Sequence, residues 1–230
     1  MSDSSPHPLF ETEDWIFDLD NTLYPHEANL FAQIDVRMGA FISDLLGLGP
    51  DEARILQKDY FYEHGTTLNG LMLNHEVDPH DYLKYVHDID LSVINPDPAL
   101  DEALSSLSGR KLIYTNGSED HARRVLDQLG IAAHFEGIFD VLASDFVPKP
   151  DHSAMELMVE QFNIRPSQAV MVEDLARNLG PARRLGMTTV WVNTGYQSPA
   201  HKFDPDIIDY EIELLTPWLC DVAGVGRQPD

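Results

Sequence analysis

The fold class this chain predicts is an open parallel α/β sheet, doubly wound with helices on both faces and carrying an inserted α-helical cap. Three observations predict it. Short apolar runs at residues 15–19, 112–115, 139–143, 169–172 and 189–192 have the length and the bounding residues of buried strands. Helical stripes fill the intervals between the later runs, and strand alternating with helix implies a parallel sheet. A long segment of helical periodicity separates the first run from all the others.

Taken in order, Trp15-Ile16-Phe17 ends in Asp18-Leu19-Asp20, so a buried strand delivers two carboxylates to the open end of the sheet. Residues 24–98 follow as the cap. Leu30, Ile34, Phe41 and Leu45 share one helical face there, turn signals stand at Gly47-Leu48-Gly49-Pro50 and Asp78-Pro79, and Asn95-Pro96-Asp97-Pro98 makes a stiff hinge. An insert that leaves and rejoins the core beside the acids can cover them, exclude water and read a substrate. Beyond it, Ala122, Val125, Leu126 and Leu129 form one stripe, Ala154, Leu157, Met158 and Phe162 the next, and Leu175, Leu179, Ala182 and Leu185 a third. The organisation expected is a core of residues 9–23 and 99–220, the cap at 24–98, and tails at 1–8 and 221–230.

At 230 residues and 43% hydrophobic, the chain can bury one substantial core and a smaller lobe. Its single cysteine, Cys220, rules out an internal disulfide framework and fits a reducing cytoplasm, where it reads as a small packed side chain. No run reaches the roughly 18 apolar residues of a membrane span. Met1 to Pro8 lack the basic-then-apolar pattern of a secretory signal, so a soluble intracellular protein is expected. The formal charge of −24, from 39 acidic against 15 basic residues, argues against a nucleic-acid polymer and leaves a small molecule as the expected partner. An anionic substrate would feel the same repulsion. A phosphate site here therefore requires local positive charge from a lysine, main-chain N–H groups or a divalent cation.

Three more segments reach the edge where the strands of a parallel sheet end and ligands bind. Tyr114 leads into Thr115-Asn116-Gly117-Ser118, a hydroxyl and a small-residue turn before a helix starting near Glu119, whose N–H groups can bind phosphate oxygens. Lys149 stands between Pro148 and Pro150, which set the direction of its backbone. Val172 runs into Glu173-Asp174, with Asn178 four residues beyond Asp174. Two acidic pairs on one edge, Asp18/Asp20 and Glu173/Asp174, repel unless a cation sits among them. Oxygen donors of this kind suit a hard ion, Mg²⁺ above all.

In chain order, Asp18-x-Asp20-x-Thr22, then Thr115, Lys149 and Glu173-Asp174 with Asn178, resemble the four-motif signature of the haloacid dehalogenase superfamily of phosphatases. The match spans residues 15–192. Phe17-Asp-Leu-Asp-Asn-Thr-Leu-Tyr-Pro25, Tyr114-Thr-Asn-Gly-Ser118 with His121, and Met171-Val-Glu-Asp-Leu-Ala-Arg-Asn-Leu179 are similar to its pyrimidine 5′-nucleotidase branch. Gly65-Thr-Thr-Leu-Asn-Gly-Leu-Met72 in the insert has the same flavour. The resemblance implies that Asp18 attacks phosphorus and forms an aspartyl-phosphate, while Asp20 protonates the leaving oxygen and then deprotonates water. It also implies Mg²⁺ held by Asp18, the main-chain carbonyl of Asp20 and Asp174, with Glu173 a direct or indirect ligand. Phosphate oxygens would meet Thr115, Lys149 and the N–H groups around Leu19 and Asn116.

A carboxylate is a weak nucleophile, so positioning and neutralisation of phosphate charge must make the attack feasible. Asp20, two residues after the nucleophile, favours phosphoryl over carbon–halogen chemistry. Glu173 stands where the signature has aspartate, as in related mutases. The expected activity is hydrolysis of UMP or CMP. The alternatives are a phosphatase for a sugar phosphate or phosphoglycolate, a mutase, and a non-catalytic binding protein, the last opposed by the intact Asp18, Asp20, Lys149 and Asp174. His64, His75, His80 and His87 match no zinc spacing and read as solvated or hydrogen-bonded cap residues. His121, Arg123 and Arg124 read as an exposed helix face, and Trp15 and Trp191 as core.

Overall fold

Alternation along the first strand, β1 (Asp14–Phe17), sends Trp15 and Phe17 to one face of the sheet and Ile16 to the other. The computed structural model describes residues 8–195 and 203–225. Between β1 and the second strand lie α1 (Leu30–Leu46), α2 (Pro50–His64), α3 (Thr67–His75) and α4 (Pro79–Val86). Their apolar faces meet in a cluster of their own around Ile34, Ile42, Leu71, Tyr82 and Val86. Both ends of the insert are rooted in the core, because Tyr24, Leu30 and Ile94 pack with Trp15 and Phe17.

The other strands are β2 (Arg110–Tyr114), β3 (Phe135–Phe139), β4 (Ala169–Glu173), β5 (Thr188–Val192) and β6 (Tyr210–Ile212). All pair in parallel, in the order β3-β2-β1-β4-β5-β6. Phe17 lies level with Ile113 on one side and Val172 on the other, so the central strands end on one line. Helices α5 (Pro98–Ser106), α6 (Glu119–Leu129) and α9 (Leu215–Ala223) cover the face of Trp15, Ile113, Val170 and Val190. Helices α7 (His152–Phe162) and α8 (Leu179–Leu185) cover the face of Ile16, Leu112, Met171 and Trp191. The doubly wound sheet is thus as expected, with Trp15 and Trp191 in the core.

Several details differ from the sequence reading. The third strand is Phe135–Phe139, not 139–143, because Glu136-Gly137 interrupts the apolar run and hides its start. Gly137 is the point where the Phe162 ring presses on the strand; a Cβ there would lie 2.4 Å from Phe162 Cε1. Residues 140–143 form a turn instead. In it the Asp140 carboxylate accepts from Glu119 N (2.8 Å) and Ala143 N (2.9 Å). Leu45 and Leu157 face solvent, each 43% exposed, while Ile42 and Met155 fill the core. Adjacent apolar residues offered two helical registers, and tertiary packing chose. Leu175 precedes the short 3₁₀ turn Ala176–Asn178 rather than lying on α8. Strand β6 was missed, being three residues at the sheet edge. Residues 221–223, expected in a tail, belong to α9 and bury Val222. The tail expectations for residues 1–7 and 226–230 fall outside the described residues. Among the described residues no helix is long and apolar enough to cross a membrane.

The turn into β2 fixes the height of the sheet edge. Gly109 has φ +78° and lies against the strand entry, so an added Cβ would sit 2.3 Å from Thr12 O and 2.5 Å from Glu13 O. At Gly47, also left-handed at φ +66°, an added Cβ would meet nothing within 4 Å among the described residues. Gly109→Ala should therefore lower the unfolding free energy by roughly 3 kcal/mol, and Gly47→Ala by only about 1 kcal/mol. Urea titration of both variants measures the difference; equal losses would show that the two chain segments do not touch.

Candidate active site

The chain leaves β1 still in register, with Asp18 N donating to Val172 O at 2.9 Å. It then curls. Leu19 O accepts from both Thr22 N (3.3 Å) and Leu23 N (3.0 Å), and Asn21 takes a left-handed conformation at φ +61°. The curl separates the duties of Asp18 and Asp20. Asp18 is buried, with Oδ1 accepting from Lys149 Nζ at 2.6 Å and Oδ2 from Thr22 Oγ1 at 3.0 Å.

Lys149 is the hub of the sheet edge. Its ammonium donates to Asp18, to Glu173 Oε2 (2.7 Å) and to Tyr114 O (2.9 Å), and lies 5.2 Å from the Tyr114 ring centroid. Its main chain is clamped as well: Lys149 N donates to Asn116 Oδ1 (2.7 Å), and Asn116 Nδ2 donates back to Lys149 O (3.3 Å). Burial alone would favour the neutral amine, but Asp18 and Glu173 outweigh it and raise the ammonium well above its ordinary pKa.

Carboxylate oxygens of Asp18, Glu173 and Asp174 can all lie within 4.8 Å of one another, and all three residues are buried. Among the described residues this is the one group of three or more donors able to hold a metal. Burial, then repulsion from Glu173, pushes the Asp18 carboxyl up to about 7 against the pull of Lys149. Asp174 is likewise raised well above the carboxylate range by burial, Glu173 and Asp18. A cation relieves such crowding, and three carboxylates are a hard, all-oxygen donor set. Glu173 is already engaged twice, by Lys149 at Oε2 and by Leu175 N at Oε1 (3.2 Å). The indole N–H of Trp191 donates to Asp174 O at 2.9 Å and fixes that backbone.

Asp20 turns its side chain away from this cluster. Its Oδ1 accepts from Tyr24 OH (2.6 Å) and from His121 Nε2 (3.0 Å). Burial pushes its pKa upward, yet His121 and the Tyr24 hydroxyl prevail and hold it below the usual value. Tyr24 keeps its proton, because burial and the neighbouring Asp20 raise it well above its ordinary range. His121 corrects the sequence reading. It is fully buried at the start of α6, not on an exposed face. His87, expected as a solvated or hydrogen-bonded cap residue, is the hydrogen-bonded kind, with Nδ1 near Ser118 Oγ, and is also buried and stacked on the His121 ring at 4.2 Å and 11°. Burial drives the His87 imidazole down to about 3. Arg123 is exposed and pairs with Glu119, whereas Arg124 donates to His87 O (2.9 Å) and ties the insert to α6.

The remaining expected residues also gather here. Thr115 is buried at the end of β2, its Oγ1 accepting from Gly117 N at 2.9 Å. The Asn116 side chain serves the Lys149 main chain, so only its N–H faces no acceptor among the described residues, as does that of Leu19. Asn178 is buried after Asp174, its Oδ1 lacking a donor among the described residues. Tyr24 and Arg177 were given no role in the sequence, and His121 and His87 were read as helix-face and cap residues and not as partners of Asp20. His121 had a signal, since it lies four residues before Val125 on the stripe that turned out to be buried. Arg177, stacked 4.8 Å from the Phe61 centroid of α2, had none.

Known proteins share this architecture. The chain is 31% identical over 200 residues to phosphate metabolism protein 8 of Saccharomyces cerevisiae, covering 79% of itself and 62% of the yeast protein's length. It is 27% identical over 217 residues to a phosphoglycolate phosphatase of Caulobacter vibrioides, covering 89% of each. In structure it resembles a HAD phosphatase from Thermococcus onnurineus at a TM-score of 0.60 and 22% identity, covering 94% of this chain and 100% of that one. It resembles an L-2-haloacid dehalogenase from Xanthobacter autotrophicus at 0.57 and 16%, covering 93% and 99%. The profile of the haloacid dehalogenase-like hydrolases matches residues 16–186, and the chain belongs to that family.

Proposed function

We propose that this chain is a Mg²⁺-dependent phosphomonoesterase working through an aspartyl-phosphate on Asp18, with the pyrimidine nucleoside 5′-monophosphates UMP and CMP as its substrates. One observation carries the reading: the paired acids of β1 are divided, Asp18 against Lys149 in the acidic cluster and Asp20 outside it. A nucleophile and a proton carrier need different surroundings, and these two have them.

In this reading Asp18 attacks phosphorus while Lys149 balances the charge on the transferring oxygens. Thr115 and the N–H groups of Leu19 and Asn116 hold phosphate oxygens. Asp20 gives a proton to the leaving oxygen, then takes one from the water that releases phosphate. Asp18, the carbonyl of Asp20 and Asp174 would hold Mg²⁺, with Glu173 as a further ligand or as the brace of Lys149. Once bound, the ion supplies neutralisation of the phosphoryl charge. Residues 24–98 act as the cap over the edge, and the lone Cys220 fits a cytoplasmic enzyme.

The motif residues around Asp18, Thr115 and Glu173 support the nucleotidase branch. A cleft of about 940 Å³ between the insert and α6, lined by Arg37, His87, Asp88, Ser118, Glu119 and Arg124 among others, lies beside the His87 ring that stacks on His121 and has room for a group of nucleoside size. The similarity to phosphoglycolate phosphatases supports a second reading, in which the leaving alcohol is a small hydroxy acid.

Phosphate release across UMP, CMP, AMP, phosphoglycolate, a sugar phosphate and p-nitrophenyl phosphate separates these readings. UMP and CMP should exceed the others by at least about tenfold in kcat/KM, an advantage near 1.4 kcal/mol. Preference for phosphoglycolate would transfer the assignment to the second reading, and equal rates would remove both. EDTA should abolish turnover, and Mg²⁺ should raise the melting temperature of the stripped protein, because the ion binds the folded cluster and not the unfolded chain. Asp18→Asn should fold normally and lose at least ~10³-fold in kcat, about 4 kcal/mol; retention of more than about a tenth of the rate would exclude covalent attack by Asp18.

A further inference from the structure

We infer that His121 is a positioning residue for the proton carrier Asp20, acting with Tyr24 to confine the travelling proton to one carboxylate oxygen; the inference rests on the phosphatase reading. Both donors converge on the same atom. Tyr24 OH and His121 Nε2 reach Asp20 Oδ1, and Oδ2 has no partner among the described residues. A carboxylate oxygen that accepts two hydrogen bonds is poorly placed to carry a proton as well. The proton bound for the leaving oxygen is therefore held on Oδ2, and the anchored Oδ1 fixes the rotation of the group that delivers it.

The clamp is itself held rigid. His121 is fully buried, so its ring cannot exchange Asp20 for water. Its Nδ1 has no partner among the described residues, which fits the tautomer with the hydrogen on Nε2: a bare ring acceptor costs less to bury than a stranded N–H. The flat stack of His87 presses on the other side, and His87 comes from the insert, at the C-cap of α4, with Nδ1 3.1 Å from Ser118 Oγ. Gly117 passes so close that a Cβ would lie 3.3 Å from His121 Cδ2 and 3.6 Å from His87 Cε1. The insert and the core thus jointly define one rotamer of Asp20.

Proton delivery matters in proportion to how poor the leaving group is. Phenyl phosphate and p-nitrophenyl phosphate have similar shape, yet nitrophenolate departs with little help and phenolate needs a proton. The test is kcat/KM for both esters with the wild type, His121→Leu, His121→Gln and Tyr24→Phe. His121→Leu should lose at least about tenfold more on phenyl phosphate than on p-nitrophenyl phosphate. Glutamine can present an N–H near the position of Nε2, so His121→Gln should recover most of the phenyl phosphate rate, and Tyr24→Phe should show the same selective loss in smaller measure. Equal losses on the two esters, or none, would overturn the inference. Should His121→Leu fail to fold, the same comparison in Tyr24→Phe and His121→Gln decides it. A wild type inactive on both esters would instead sink the phosphatase reading itself.

Discussion

One buried ammonium group, that of Lys149, sets the terms for the rest of the molecule. It faces two carboxylates and a carbonyl oxygen, each from a different segment: Asp18 after β1, Tyr114 in β2 and Glu173 at the end of β4. Desolvating such a group costs several kcal/mol, and the cost is offset only when every donor is matched at good distance. The match requires three strand ends at one height, which the level register of Phe17, Ile113 and Val172 supplies. Asn116 completes the arrangement by gripping the Lys149 main chain on both its N–H and its carbonyl. A side chain from a loop is thereby held as firmly as one from a strand.

The loop that carries Lys149 has a second attachment. Val141 lies in the apolar cluster of the insert, with Leu142 and Phe146 against it, while Lys149 sits eight residues later among the acids of the sheet edge. Arg124 and His87 tie the insert to α6 from the other side. Placement of the lobe and placement of the charged groups are therefore mechanically linked.

How much of this could be read beforehand depends on the range of the interaction. Four of the strands, β1, β2, β4 and β5, and the gathering of Asp18, Thr115, Lys149, Glu173 and Asp174 follow from local patterns plus the rule that parallel strands end on one edge. The contact of His121 with Asp20 joins positions 101 residues apart, and no local pattern encodes it. Asn116 shows the same limit. Its place in the turn was legible, but its service to the Lys149 backbone depends on how two loops meet. The misplaced third strand has a plainer cause, for Gly137 looks like an interruption until Phe162 is seen filling its empty side.

The alternation on β1 has a last consequence. Trp15 and Phe17 are committed to one layer and Ile16 to the other, so the strand cannot slip by a single residue without exchanging its two faces. The position of Asp18 is in that sense digital. Slippage by small amounts is not available, and the nearest alternative setting lies two residues away and takes Asp18 out of reach of Lys149 altogether. Aliphatic and indole groups that never meet a substrate thus act as the ratchet teeth that index the chemistry.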